Sequence, residues 1–348
     1  MSDLPEGKKQ DAEHVVPYSV FDTEGLAPRN VFSLWQEQME SMADVRLAKD
    51  CDLFHARAEA AILDQLVLGH VRSTTFGYDR SRFRIARDGL DHYLLHFFRG
   101  GRLICRKTGT GGTIKPGDMM LADMANPELA TIVDMDVIYL VVPRPLMAPL
   151  LAEPEARGLR HFSGDNVLVK LLYDHVSAIL SQARSITVQQ ARALGPAMLQ
   201  LAAAAINGAV GEETQRGVAS SLFQAISRHV RVRAHEAGFS SDDIAAHFGI
   251  SPRKLSYLFE QSGGIASHIQ HERLRLARQA LMDPAQRSKT VQEIAEACGF
   301  LHRTSFIRAF ERVYSLTPGQ QRSLAADRRR TDPDELPEPS PIRWIAHV

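Results

Sequence analysis

The amino-acid sequence predicts an α+β protein, with a β-barrel or sandwich in its first half and an all-α domain in its second half. Short apolar or alternating runs, separated by Gly, Pro and Asp, fill residues 45–145 and are typical of strands. From about residue 145 the apolar residues recur at helical spacing, and they do so as far as residue 325. A two-helix motif occurs twice in the second half. These observations separate a sheet domain from a helical one.

The composition indicates folded domains in a reducing compartment. Of 348 residues, 44% are hydrophobic and 24% are charged, which is typical of globular chains with two or three domains. Three cysteines, few and widely spaced, favour free thiols over a disulfide framework. The N-terminus is too polar for a secretory signal, and no apolar run is long enough to span a membrane. We therefore expect a cytoplasmic protein with no membrane partner.

Domain boundaries follow from these changes in pattern. Polar residues 1–30 predict a flexible arm, and residues 31–150 predict the sheet domain. Residues 151–215 predict a helical segment, and residues 216–325 predict the second domain. Residues 326–348 are acidic and rich in proline, which predicts a disordered tail.

Several elements can be assigned within these domains. "RFRIARD" (82–88) and "HYLLHFF" (92–98) are expected to be strands, with hairpin turns at "RGGR" (99–102) and "GTGG" (109–112). In the helical segment, "LVKLLYDHVSAILSQA" places its apolar residues on one face. The next helix contains Pro196, where we expect a break or a kink.

A net charge of zero conceals a basic segment. The chain has 41 Lys and Arg against 41 Asp and Glu, but residues 222–330 alone have 17 basic and 10 acidic residues. This local excess favours a polyanion as the partner of the helical domain. A soluble basic domain with no such partner is the alternative.

The duplicated motif lies in this basic segment. Residues 243–260 read "DIAAHFGISPRKLSYLFE", and residues 293–311 read "EIAEACGFLHRTSFIRAFE". In each copy, a short helix carrying Ile-Ala is followed by a Gly-centred turn and by a second helix with a narrow apolar stripe. This is the layout of a helix-turn-helix, which leaves the outward residues of the second helix free to face DNA.

Residues 222–323 resemble the DNA-binding domain of the AraC/XylS family of bacterial transcription regulators. The second copy carries the family pattern in Ile294-Ala295, Gly299-Phe300, Phe306, Arg308-Ala309-Phe310, Pro318 and Arg322. Ser315 stands where the family usually has Gly, which predicts local strain in that turn. The resemblance implies seven helices, two recognition helices in successive major grooves, and activation of transcription through RNA polymerase.

The resemblance also implies roles for the outward residues of both second helices. The expected base-facing residues are Arg253, Ser256 and Tyr257 in the first copy, and His302, Arg303, Thr304 and Arg308 in the second. Lys254 and Arg312 are expected to hold phosphates and so set the register on DNA. For each side chain, a solvated surface position is the alternative.

The sheet domain resembles the cupin-like effector domains of many family members at "GTIKPGDMMLAD" (112–123). Such a barrel suits an apolar effector held by a few polar groups, for which we expect Arg87, His92, His96 and Arg102. These residues could instead be ordinary strand residues facing solvent. His92 and His96 share a strand face, but the neighbouring Glu and distant His of metal cupins are missing, so neither a metal nor another cofactor is expected.

The sequence thus predicts a sequence-specific DNA-binding transcription regulator, an activator that responds to a ligand, with no catalytic residue and no enzymatic activity. Its expected partners are double-stranded promoter DNA, a small-molecule effector, RNA polymerase and a second copy of the chain. The helices of residues 151–215 would pair the two copies or merely cover the sheet. Two alternatives remain open: a cupin-type metal enzyme with a helical assembly module, and a DNA-binding regulator that needs no ligand.

Overall fold

The computed structural model describes residues 15–48, 53–105, 114–152, 154, 159–212, 217–260, 263–328 and 340–346. A sheet domain with flanking helices precedes a run of helices, so the predicted fold class is confirmed. None of the helices in this part of the chain is both long and apolar enough to cross a membrane.

One antiparallel sheet of nine strands forms the N-terminal domain in the described residues. The strands are β1 (Tyr18–Asp22), β2 (Asp44–Leu47), β3 (Ala56–Leu63), β4 (Leu66–Ser73), β5 (Phe76–Arg80), β6 (Tyr93–Cys105), β7 (Met119–Asp123), β8 (Glu128–Val142) and β9 (Arg160–Phe162). Their order is β1-β3-β4-β8-β6-β7-β9, and β5 pairs with both β2 and β8. The long strand β8 therefore joins most of the sheet together.

Both faces of the sheet are buried, which explains the continuous apolar run in β8. Because side chains alternate along a strand, Ile138 and Leu140 pack into one core while Val137 and Tyr139 pack into the other. The first core, here called the outer core, is completed by helices of the 151–215 segment. The second, the inner core, surrounds Trp35.

Five helices accompany the sheet: α1 (Pro28–Met39), α2 (Arg82–Asp88), α3 (Arg144–Met147), α4 (Val167–Ser181) and α5 (Val188–Glu212). The side chain of Asn166 caps α4, whose apolar face then packs against the outer core. Helix α5 continues through Pro196, so the prediction of a break there is wrong. The buried face of this helix consists mainly of small residues, which allows it to lie close to its neighbours.

Seven helices follow in the described part of the second half, as the resemblance implies. They are α6 (Gly217–Arg233), α7 (Ser241–Phe248), α8 (Pro252–Phe259), α9 (Ile265–Met282), α10 (Val291–Ala297), α11 (Arg303–Tyr314) and α12 (Pro318–Arg328). Each helix-turn-helix has its own small core. Ile244, Leu255 and Phe259 belong to the first, and Ile294, Phe306 and Phe310 to the second.

The ends of the chain differ from the sequence predictions. Within the predicted arm, Tyr18–Asp22 pairs with β3, so residues 18–22 are a strand of the sheet. The prediction of a disordered tail over 326–348 is also wrong in part, because α12 continues to Arg328, and Ile342, Trp344 and Ile345 are buried against the sheet domain. Residues 1–14, 329–339 and 347–348 lie outside the described part of the chain.

Two internal segments also differ. "RGGR" is a bulge within β6 and not a hairpin, since Gly101 has a φ of +84° and a Cβ there would lie 2.4 Å from the Asp134 carbonyl oxygen. The other expected hairpin, "GTGG", lies outside the described residues. "RFRIARD" is helix α2 and not a strand, because Ser81 caps its start and Gly89 ends it in the left-handed conformation.

Helix α2 of the sheet domain accepts hydrogen bonds from the helical domain. The Arg278 guanidinium on α9 donates to the Ile85 carbonyl, and Gln321 Nε2 on α12 donates to the Ala86 carbonyl at 2.7 Å. Elsewhere Arg231 Nη1 donates to the Ala148 carbonyl at 2.9 Å. These hydrogen bonds join the helical domain to the sheet domain at α2 and at the Ala148 carbonyl.

Candidate DNA-binding surface and effector cavity

The first helix-turn-helix follows directly from its local sequence. Ser240 and Asp243 form a capping box at the start of α7. Gly249, with a φ of +61°, ends α7 in the left-handed conformation that glycine tolerates best. Ser251 then caps α8 by accepting a hydrogen bond from the Lys254 amide at 3.2 Å. Two short helices therefore meet at a turn of fixed geometry.

Helix α8 buries one face and exposes the other. Leu255 is 1% exposed, whereas Tyr257 is 68% exposed. The other predicted contact residues of this helix, Arg253, Lys254 and Ser256, are exposed as well. Cationic, hydroxyl and aromatic groups are thus presented to solvent from a helix fixed by its core.

The second helix-turn-helix repeats this arrangement. Thr290 and Glu293 form a capping box before α10, and Gly299 turns the chain with a φ of +84°. A Cβ at Gly299 would lie 2.7 Å from the Ala234 carbonyl oxygen, so only glycine fits without a shift of the backbone. Ser315 ends α11 in the left-handed conformation, with a φ of +59°, as its departure from the family pattern led us to expect.

The exposed face of α11 carries the second predicted set of contact residues. Phe306 and Phe310 are fully buried and hold the helix in place. His302, Arg303, Thr304, Arg308 and Arg312 are all exposed. Of these, Arg312 donates a hydrogen bond to Gln270 Oε1 on α9 at 3.1 Å, which directs its guanidinium toward that helix.

One residue that the sequence patterns do not indicate, Arg273, supports both motifs. Arg273 on α9 donates from Nε to the Ala234 carbonyl at 2.7 Å and from Nη2 to the Phe239 carbonyl at 3.0 Å. It therefore fixes the link between α6 and α7 beside the turn at Gly299. No sequence pattern could identify it, because its partners are backbone carbonyls more than thirty residues away.

A cavity of about 70 Å³ lies in the inner core between the sheet and α1. Its lining is mostly apolar, including Trp35, Leu94, Phe98, Val137 and Ile342. Two of the predicted effector residues, His96 and Arg102, also line it.

The other two predicted effector residues do not line the cavity. His92 is buried just before β6 and outside the lining, and burial lowers its pKa. Arg87 is exposed on α2, so its assignment to an inward strand face is wrong. The error arose because a seven-residue helix and a short strand carry similar apolar residues.

Polar groups at the cavity are mostly neutral or paired. Burial lowers the pKa of His96 to about 4 and raises that of Glu128 to about 7. The Arg80 guanidinium is 1% exposed and forms two parallel hydrogen bonds with Asp88, at 2.6 and 3.0 Å. Apart from the exposed Arg102 guanidinium, little uncompensated charge faces the cavity, so its chemistry suits an apolar molecule with a few polar groups.

The C-terminal segment Ser340–Ala346 closes one side of this cavity. Ile342 and Ile345 line the cavity, and Trp344 is 2% exposed. The Tyr139 hydroxyl donates to the Pro341 carbonyl at 3.0 Å. Neither Tyr139 nor the segment was predicted as part of the cavity, although the alternation in β8 does place Tyr139 on the face of Val137.

Within the described residues, no three His, Cys, Asp or Glu side chains are grouped so as to hold a metal ion.

The two halves of the chain match known domain families. The AraC-binding-like domain family matches residues 39–207, and the helix-turn-helix domain family matches residues 244–323.

Individual relatives match one or both halves. The HTH-type transcriptional regulator YijO of Escherichia coli (strain K12) is 32% identical over 104 residues, which cover 29% of this chain and 35% of YijO. The transcriptional activator NphR of Rhodococcus sp is 23% identical over 262 residues, 72% of this chain and 76% of NphR. The match thus spans only about a third of YijO but most of NphR.

A solved structure has the same arrangement. The AraC-like transcriptional activator CuxR superposes with a TM-score of 0.51 at 23% identity, covering 80% of this chain and all of CuxR. This likeness shows the fold of both halves. The chain thus combines an AraC-binding-like domain with an AraC-type helix-turn-helix domain, and its relatives are AraC-like transcriptional regulators.

Proposed function

We propose that this protein binds promoter DNA at two adjacent major-groove sites and activates transcription in response to a small molecule bound in the barrel. One observation carries the proposal: two helix-turn-helix units, each fixed by its own core, present exposed basic and hydroxyl side chains on α8 and α11. The basic excess of residues 222–330 supports a nucleic acid as partner.

The roles of individual residues follow from their positions. Arg253 on α8 and Arg303 and Arg308 on α11 are proposed to read bases, since a guanidinium can form two hydrogen bonds with guanine. Ser256, Tyr257, His302 and Thr304 complete the base-facing set. Lys254 and Arg312 are proposed to contact phosphates and set the register of the complex.

The decisive experiment is selection of binding sites from random duplexes by the full chain, followed by footprinting. We expect a site with two half-sites about one helical turn apart and affinity that falls steeply with salt. Replacing Arg303 by Ala should relax the preference at one base position and cost about 1–3 kcal/mol there. Arg287→Ala, an exposed change outside both recognition helices, is the matched control.

The results can contradict the proposal at two levels. A uniform loss of affinity for all sequences would make Arg303 a phosphate contact. No selected site, or binding that is indifferent to salt, would remove the DNA-binding function itself.

A homodimer formed through the helices of residues 151–215 is part of the proposal. Val167 and Leu171 on α4 are 70% and 50% exposed, which supports an apolar surface for a second copy. Leu171→Glu should shift the full chain from dimer to monomer in sedimentation velocity, while Lys170→Glu on the neighbouring exposed position should not. A monomeric wild-type chain would overturn this part. Contact with RNA polymerase is proposed from the likeness to AraC-like transcriptional activators and is tested by transcription with purified components.

A further inference from the structure

The last described segment of the chain, Ser340–Ala346, is held in the sheet domain by apolar and polar contacts. Ile342, Trp344 and Ile345 are each 2–3% exposed and belong to the same inner core as Trp35. These side chains come from beyond the DNA-binding helices, so the effector domain is completed by the opposite end of the chain. We call this segment the C-terminal plug.

Hydrogen bonds give the plug a defined shape. The Ser340 hydroxyl contacts Gln38 Oε1 on α1 and accepts from the Arg343 amide at 3.2 Å, while the Trp344 amide donates to the Ser340 carbonyl at 3.2 Å. The resulting single turn is capped by its own serine. A turn formed in this way presents its apolar side chains together on one side.

The sheet has a matching feature. Tyr139 on β8 lies opposite Gly69 on β4, and a Cβ at Gly69 would lie 2.4 Å from Tyr139 Cζ. Because Gly69 has no side chain, the Tyr139 ring can lie across β4, and its hydroxyl then reaches the Pro341 carbonyl at 3.0 Å. The glycine thus makes room for the residue that binds the plug.

The plug leaves little room for anything else. The remaining cavity is about 70 Å³, far below the roughly 300–1,000 Å³ typical of sites for small-molecule ligands. The plug is also an imperfect occupant, because the buried indole N–H groups of Trp35 and Trp344 have no hydrogen-bond partner among the described residues. An incoming molecule with an acceptor for the Trp35 N–H would satisfy a donor that the plug leaves unpaired.

From these contacts we propose that the plug is a built-in ligand of the effector cavity, and that effectors act by displacing it. The site then accepts an uncharged aromatic body of about the size of an indole, with an acceptor oxygen for the Tyr139 hydroxyl or the Trp35 N–H. This inference rests on the proposed effector site. Eleven residues separate the plug from the end of α12, so its release removes a further connection between the helical domain and the sheet domain, besides those at α2 and at the Ala148 carbonyl.

The test uses the full chain and prodan, an uncharged naphthalene ketone whose emission shifts to the blue in apolar surroundings. The plug is released with Trp344→Asp, and Arg343→Ala is the matched control because Arg343 is the partly exposed member of the same turn. Since the plug competes with the probe, the apparent affinity is the intrinsic affinity multiplied by the fraction of molecules in which the plug is undocked. We expect Trp344→Asp to bind prodan at least tenfold more tightly than the wild-type and Arg343→Ala chains. Equal affinities in all three would overturn the proposal.

A second measurement does not depend on the variant folding. Hydrogen exchange of the wild-type chain should show protected amides at Trp344 and Ile345, which donate to backbone carbonyls within the plug. Saturating prodan should speed the exchange of these two amides at least tenfold and leave the exchange rates of the amides in helix α4 unchanged. Unprotected amides without prodan, or protection unaffected by it, would overturn the proposal. Selection of DNA sites by the same wild-type protein tests DNA binding separately. Failure of the DNA-binding proposal would therefore appear in site selection, and failure of the plug proposal in prodan affinity and hydrogen exchange.

Discussion

Replacing Asp88 by Asn tests the buried ion pair between Arg80 and Asp88, the last residue of helix α2. Arg80 is 1% exposed, and its guanidinium also donates to the carbonyls of Met124, Met42 and Leu90. Asp88 supplies the only negative charge bonded to this guanidinium in the described residues. The Asn variant keeps one acceptor oxygen but leaves the cation buried without a counter-charge.

The expected loss is a large part of the stability of the domain. Removing one partner of a buried pair costs about 3–5 kcal/mol, and the retained acceptor places this change near about 3 kcal/mol. Whole domains are stable by only about 5–15 kcal/mol. With a urea dependence of about 3 kcal/mol per molar, the unfolding midpoint should fall by about 1 M.

Urea unfolding followed by tryptophan fluorescence measures this change, because both tryptophans of the chain, Trp35 and Trp344, lie in the inner core. The matched control is Asp79→Asn, which removes an ion pair with Arg46 whose atoms are 3.8 Å apart and whose arginine is 78% exposed. An exposed pair contributes at most about 1 kcal/mol. Equal midpoints for the two variants would refute the argument that burial makes the Arg80 pair critical.

Three further changes have defined outcomes. Burial raises the pKa of Glu128 from 4.5 to about 7, so the folded chain keeps this proton when the unfolded chain has lost it, and stability should fall by up to about 3 kcal/mol between those pH values. Glu128→Gln should remove that fall, and urea midpoints at pH 5 and pH 8 that still differ as in wild type would contradict it. Ser315→Gly should raise the free energy of unfolding by up to about 1 kcal/mol, and the melting temperature with it, since glycine tolerates the φ of +59° there. A lower melting temperature would contradict backbone strain at Ser315. Phe306→Ala should cost about 3–5 kcal/mol, whereas exposed Thr304→Ala should change stability by less than about 0.5 kcal/mol in the same denaturation assay; similar losses would show that Phe306 does not anchor α11.

The helix-turn-helix units were predictable from the sequence because their information is local. Within each unit, the helix caps, the turn at Gly249 or Gly299 and the apolar residues at helical spacing lie within about twenty residues of one another. The two strand faces in β8 were also implied by alternation. In contrast, α2 was mistaken for a strand because its helix depends on one cap and one glycine in a seven-residue run.

Local sequence alone therefore determined the fold class of the protein, the positions of its two helix-turn-helix units and the residues that α8 and α11 expose. Only the tertiary structure decided the lining of the cavity, the role of Arg273 and the docking of the C-terminal plug. The physical reason is distance along the chain: Tyr139 and Pro341 are 202 residues apart, and no periodicity or turn signal connects them. Such contacts form because folding buries apolar side chains together wherever they lie in the sequence.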